Sequence, residues 1–277
     1  MGLIEFTCAV LGTSALAGLL GALTGLGGGV VIVPVLALLF HVDLRYAIGA
    51  SLVSVIATSS GAAVSYVREG FSNVRIGMFL EVATTLGAVC GAYLTSRVST
   101  HAIGIIFGLT LLYSAWSSFR NQHDEVEHPA NALAEKLELK GDYPLGKGRQ
   151  TYVAQNVPAG FGIMAIAGIL SGLLGIGSGA VKVLAMDRAM KLPFKVSTTT
   201  SNFMIGVTAA ASAGVYLGKG YIAPGLAAPV MLGVLAGSLA GARLLVRMRV
   251  PLLRTLFAVV IVALGLEMIF SGATGRL

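Results

Sequence analysis

The 277-residue chain is 56% hydrophobic and only 11% charged, with a mean hydropathy of +0.86. An ordinary soluble domain carries about 25% charged residues, so that class is excluded. The net charge of +7 comes from basic residues scattered through short loops, which points to membrane orientation and away from nucleic acid.

In chain order, the first apolar segment covers about 3–24. It lacks the positive flank and small-residue cleavage site of a secretory signal, and it is read as part of the mature protein. Further apolar segments follow at about 29–40, 47–67, 76–95 and 102–118. The stretch at about 120–157 is the one strongly polar region, with a short helical candidate at 130–140 and a β-like piece at Gln150–Gln155. It reads as a solvated connector, with a small regulatory subdomain as the alternative. Five more apolar segments complete the chain, at about 158–174, 179–190, 198–217, 222–246 and 252–271. The second segment of each half is too short to cross a bilayer as a straight helix, which needs about 20 residues. Each begins at a glycine-rich break, so the first two segments of each half are expected to form a broken, hairpin-like pair.

A shift of 150 positions aligns the two halves without a gap. Residues 14–98 against 164–248 give 20 identities in 85 pairs, seven of them glycine. Gly25–Gly29 falls on Gly175–Gly179, and Ser51, Thr58, Tyr66 and Arg97 meet Ser201, Thr208, Tyr216 and Arg247. Shared apolar composition does not account for coincident Ser, Tyr, Arg and Gly at one offset. The chain is therefore read as an internal duplication.

The basic residues test the segment count. With five reversals per half, one side collects fourteen: Arg68, Arg75, Arg120, Lys136, Lys140, Lys147, Arg149, Arg188, Lys191, Lys195, Arg243, Arg247, Arg249 and Arg254. The other side holds Arg45, Arg97, Lys219 and Arg276. With four crossings per half the split is nine against nine. The odd count predicts an all-α polytopic membrane protein of two inverted five-segment repeats, with 8–10 membrane segments. The first repeat spans 1–119, a cytoplasmic linker 120–157 and the second repeat 158–277, with both termini outside the cell (plasma or inner) membrane. Inverted repeats place a transport site near the midplane, where the halves meet.

Candidate site residues follow from the repeat. Gly27, Gly28 and Gly29, and Gly177, Ser178 and Gly179, open the short segments. They either make tight turns for helix packing or expose backbone N–H groups at a half-helix start, where an anion binds. Lys182 lies in an apolar run and is matched by Ile32 in the first half. A lysine at mid-membrane costs about 2.5–3.5 kcal/mol, so it either holds an anion, snorkels to the interface, or pairs with Asp187. Thr200, Ser201 and Asn202, with Ser51 in the first half, either satisfy helices or donate to oxyanion oxygens. Tyr66 and Tyr216 read as interfacial anchors. Glu81 and Glu267 have Met231 and Ser117 at their repeat positions, and either could titrate in proton coupling.

Enzymatic readings fail on spacing. His41, His101, His123 and His128 form no H-E-x-x-H or Cys/His ligand pattern, and Ser178 is not in a nucleophile elbow. Cys8 and Cys90 lie in apolar segments and argue for no disulfide or metal site, and no cofactor is expected.

The paired motifs resemble the sulfite exporter TauE/SafE family of membrane permeases. The resemblance is carried by Leu23-Thr24-Gly25-Leu26-Gly27-Gly28-Gly29 with Pro34, by Gly49–Leu52, by Ser171–Gly179, by Leu192-Pro193-Phe194-Lys195, and by Thr200–Ala209. Ser178 departs from the glycine usual in the second motif, and Leu184 stands where the first half has Pro34. The resemblance implies movement of sulfite, sulfoacetate and other sulfur-containing anions. The expected partners are a small anion, the lipid bilayer and a coupling proton or cation. A secondary transporter, a passive anion channel and a non-transporting membrane assembly protein all remain open at this stage.

Overall fold

The structure, a computed structural model, describes residues 2–24, 28–68, 72–119, 132–145, 148–245 and 250–276. Gly25 to Gly27, Gly70, Lys147 and most of the charged start of the linker lie outside the described residues.

The first half consists of α1 (Leu3–Thr24), α2 (Gly29–Leu38), α3 (Leu44–Arg68), α4 (Val74–Leu94) and α5 (Thr100–Phe119). The linker adds α6 (Ala132–Lys136) and strands β1 (Lys140–Leu145) and β2 (Gly148–Val153). The second half has α7 (Val157–Leu174), α8 (Gly179–Leu184), α9 (Phe194–Gly218), α10 (Pro224–Leu245) and α11 (Val250–Ala273). A π-helical turn at Ala185–Ala189 extends α8. Each apolar segment of the sequence corresponds to one of these helices, because in lipid a backbone satisfies its polar groups most simply within its own helix.

Among the described residues, four helices are long and apolar enough to cross a membrane by length and composition. They are segments one and four of each half, with windows Ile4–Gly21, Val74–Leu94, Val157–Leu174 and Pro224–Gly241. Their outer surfaces expose Leu16, Leu86, Ile166 and Leu239, as expected of faces turned to lipid. Helices α3 and α9 carry more Ser and Thr and pack against each other in the interior.

Packing repeats with the sequence. Helix α1 lies on α10, α4 on α7, α5 on α11 and α3 on α9. A Cβ on Gly168 would collide with the Thr84 carbonyl, and one on Gly18 with the Val234 carbonyl, which is the same contact moved by 150 residues. Gly87 against Ala165 and Gly237 against Ala15 repeat it again. These close approaches need glycine, since small residues let helix backbones meet where no hydrophobic force drives them together. The backbone itself carries the duplication. His41 and Lys191 both adopt left-handed φ, at 52° and 54°. Both follow a short helix whose carbonyl accepts the same backbone bond, Val42 N–H to Leu36 and Leu192 N–H to Met186.

Contacts also give helix direction. Gly49 near the start of α3 faces Tyr221 just beyond α9, while Ser59 further along α3 faces Gly206 within α9. These two helices run in opposite directions. Helix α4 runs alongside α9 in the same direction, with Asn73, Glu81 and Thr95 bonded in order to Thr200, Thr208 and Tyr216.

The linker is more than a solvated connector. Strands β1 and β2 form an antiparallel hairpin from Lys140↔Val153 to Leu145↔Gly148. Ala134, Leu139, Tyr143 and Tyr152 are buried in one cluster with Ile76, Met186, Met190 and Val196 of the helices. Asn73 is the hub of this contact: its side chain donates to the Lys140 carbonyl and to the Tyr152 hydroxyl, and it accepts from Ile76 N–H to cap α4. Burial pushes the Tyr152 phenol above its ordinary value, against the lowering effect of the Asn73 bond. Arg75 and Glu138 form an exposed ion pair across the same junction.

Candidate functional site

The first half's break closes at Gly28 and opens α2 at Gly29. A Cβ on Gly29 would come within 2.7 Å of the Ser51 hydroxyl and 3.2 Å of the Gly175 carbonyl oxygen. Ser51 donates to that same carbonyl at 2.8 Å. A Cβ on Gly177 would meet Ile205 at 2.7 Å and Val55 at 3.6 Å. The breaks of the two halves therefore converge where α3 and α9 pack.

In the second break the chain turns left-handed three times, at Gly175 (φ 68°), Gly177 (φ 70°) and Ser178 (φ 48°). Its first-half counterpart, Gly28, is right-handed at φ −64°. The residue with a Cβ thus takes the conformation that costs an L-residue about 1–2 kcal/mol, and the glycine does not. The Ser178 side chain is buried, and its hydroxyl has no hydrogen-bond partner.

Lys182, three residues beyond Gly179 on α8, is 0% exposed. Its Nζ donates to Thr208 Oγ1 at 2.5 Å, and Thr208 donates to Glu81 Oε1 at 2.7 Å or to the Met204 carbonyl at 3.0 Å. Thr85 also donates to Glu81 Oε1, at 3.1 Å. Lys182 thus does not snorkel; its ammonium points inward, and a threonine links it to a buried carboxylate on α4. Glu81 was legible as an ionisable residue in an apolar segment, but nothing in the sequence links it to Lys182, since Thr208 of α9 is what joins them.

The other candidates separate. Ser201 donates to the Gly179 carbonyl at 3.3 Å, echoing Ser51 beside Gly29. Thr200 accepts from Asn73 N–H at 3.0 Å, which ties α9 to the α4 cap and the linker instead of to the breaks. Asn202 is half-buried on α9. Gly27 lies outside the described residues, as does the Tyr66 side chain. Tyr216 is not an interfacial anchor: it is 0% exposed, shares a 2.8 Å hydrogen bond with Thr95 and reaches the Gly172 carbonyl at 3.1 Å. A tyrosine hydroxyl can satisfy itself inside a bundle as well as at the interface.

At the far end of α9, Lys219 donates to the carbonyls of Ala92 and Tyr93 near the end of α4 and to the Ser96 hydroxyl, each at 3.0 Å. Desolvation, together with the charges of Arg45 and Arg97, holds its ammonium below the ordinary lysine value.

Lipid-facing apolar helices around two broken half-helices and a buried charge define a multi-pass membrane protein of the transporter class. The chain belongs to the sulfite exporter TauE/SafE family, whose profile matches residues 10–268. It is 25% identical over 265 residues to the "Probable membrane transporter protein YunE" of Bacillus subtilis (strain 168), covering 93% of this chain and 95% of that protein. It is also 26% identical over 229 residues to the "Probable membrane transporter protein YdhB" of the same organism, covering 82% and 86%. No solved structure matches the chain.

Proposed function

We propose that this protein is a secondary transporter of small anions, sulfite or organosulfonates, working by alternating access at a central site between its halves. The observation that carries the reading is Lys182, a fully buried cation one turn beyond the second glycine break. A buried ammonium is strongly destabilising without a counter-charge. Here its counter-charge acts through a threonine, which leaves the ammonium able to take an anion. The unpartnered Ser178 hydroxyl offers a further donor.

The halves are inverted in this reading. The opposite directions of α3 and α9, which are repeat equivalents, support it. So does the charge distribution. The linker hairpin with Lys140, Arg75, and the Asn73–Thr200 contact with nearby Lys195 lie at one end of α4 and α9. Arg45, Arg97 and Lys219 sit together at the other. In this reading the linker is cytoplasmic and both termini lie outside the cell membrane, as the excess of basic residues on the linker side favours.

The test is counterflow in proteoliposomes with sulfite, sulfoacetate, thiosulfate and sulfate. Saturable counterflow of at least one, lost in Lys182→Ala, is expected. Voltage-driven conductance without counterflow would identify a channel instead, and unchanged flux in Lys182→Ala would remove Lys182 as the anchor.

A further inference from the structure

Glu81 is 6% exposed, and its hydrogen bonds are lopsided. Thr208 and Thr85 both serve Oε1, while Oε2 is buried with no partner. An ionised carboxylate accepts through both oxygens, and leaving one bare in an apolar interior is costly. A proton can occupy that bare oxygen.

Among the described residues the charges around Glu81 are few, and those of the linker lie beside Asn73 and Arg75 at the start of α4. On α4 itself Arg75, Cys90 and Tyr93 lie at least one and a half turns away along the helix. Helix α7, packed along α4, carries no titratable side chain. Helix α9 carries Lys195 in its first turn and Tyr216 in its last, the latter held by Thr95. Helix α8 and its π-turn carry Lys182, with Asp187 and Arg188 further on. Lys182 is the charge that Glu81 faces, through one hydroxyl.

We propose that Glu81 is a proton-binding site coupled to the anion: it balances Lys182 when the site is empty, and is protonated when an anion takes over that role. This rests on the anion reading above and adds the coupling ion to it. Two anions would compete for one buried cation. Lys182 with ionised Glu81 is neutral, as is Lys182 with protonated Glu81 and a monovalent anion such as hydrogensulfite. A divalent anion leaves one excess charge with Glu81 protonated and two with it ionised, so it needs the proton as well. The states with the anion bound and Glu81 ionised, or with neither, carry more uncompensated charge in low dielectric and are disfavoured. The less charged states pass more easily between the faces, so one proton moves with each anion. By linkage, proton and anion each tighten the binding of the other. Thr208 can relay the change, because its single hydroxyl hydrogen has a second acceptor in the Met204 carbonyl.

The test is infrared difference spectroscopy of the full chain in lipid at neutral pH, on addition of sulfite, sulfoacetate, thiosulfate or sulfate, alongside counterflow of the same anions. An anion that supports counterflow is expected to bring up a protonated-carboxyl band, absent in Glu81→Gln. In vesicles clamped at zero potential, an inward gradient of one pH unit is expected to raise accumulation about tenfold, and that ratio falls to one in Glu81→Gln. Should Glu81→Gln not fold, Lys182→Met replaces it: its carboxyl carries the proton before any anion is added. No counterflow with any of the four overturns the anion reading and this inference with it. Counterflow without the carboxyl band, or a gradient response that survives in Glu81→Gln, overturns the coupling alone.

Discussion

The two glycine breaks are the same device built twice and furnished differently. Both open a short helix beside a serine of the next long helix, Gly29 beside Ser51 and Gly179 beside Ser201. Both short helices are irregular, α2 through Pro34 and α8 through its π-turn. In the first, the position one turn in is Ile32, and Met231 on α10 matches Glu81. Thr58, the counterpart of Thr208, turns its hydroxyl back to the Ser54 and Val55 carbonyls. In the second, Lys182 and Glu81 have been added around the same threonine position. The scaffold needs two breaks, but the charge sits in one, so the site is chemically one-sided within a symmetric frame.

Four predictions bear on this comparison, ordered from the largest expected effect. Lys182→Ile makes the second break like the first and strands Glu81. Transport should fall at least a hundredfold and stability by about 3–5 kcal/mol, read by counterflow and thermal unfolding in detergent. Pairing it with Glu81→Met should restore much of the stability and none of the transport. The reverse change, Ile32→Lys, puts a cation at the repeat counterpart of Lys182, where Met231 stands in for Glu81, and should cost about 2.5–3.5 kcal/mol; a neutral outcome would mean the first break is already polar.

Gly168→Val and Gly18→Val probe the frame itself. Each should cost about 1–3 kcal/mol by forcing α7 from α4 or α1 from α10, and the two losses should be similar, as unequal values would show that the two interfaces differ in tightness. The threonine comparison comes last, because one of its two arms is expected to change almost nothing. Thr208→Val should cost about 1–3 kcal/mol by leaving Lys182 and Glu81 without their bridge, whereas Thr58→Val should stay within about 0.5 kcal/mol.

The positions of the ten apolar helices were legible because each must hold its own backbone bonds and long apolar runs admit little else. The duplication was equally legible, since a constant offset survives in residues such as Ser51 and Ser201 whatever their contacts. The anchoring role read for Tyr216 failed because hydropathy does not distinguish a tyrosine at an interface from one satisfied by Thr95 inside the bundle. The linker's short helix and one of its strands were legible, but its docking on the helices was not, because its few buried residues find their apolar partners on α4, the π-turn and α9, far away in the chain.

Sequence alone pointed to a membrane protein whose halves repeat, with a glycine-rich break in each and one lysine inside an apolar segment. That much is local: it follows from composition, spacing and the cost of a charge in hydrocarbon. Tertiary structure decided what the lysine meets. Helix α9 brings Thr208 between Lys182 and Glu81, residues 101 positions apart in the chain, and only packing sets which side chains share a buried volume. The same packing leaves one oxygen of the Glu81 carboxylate without a donor, which no local pattern in the sequence could specify.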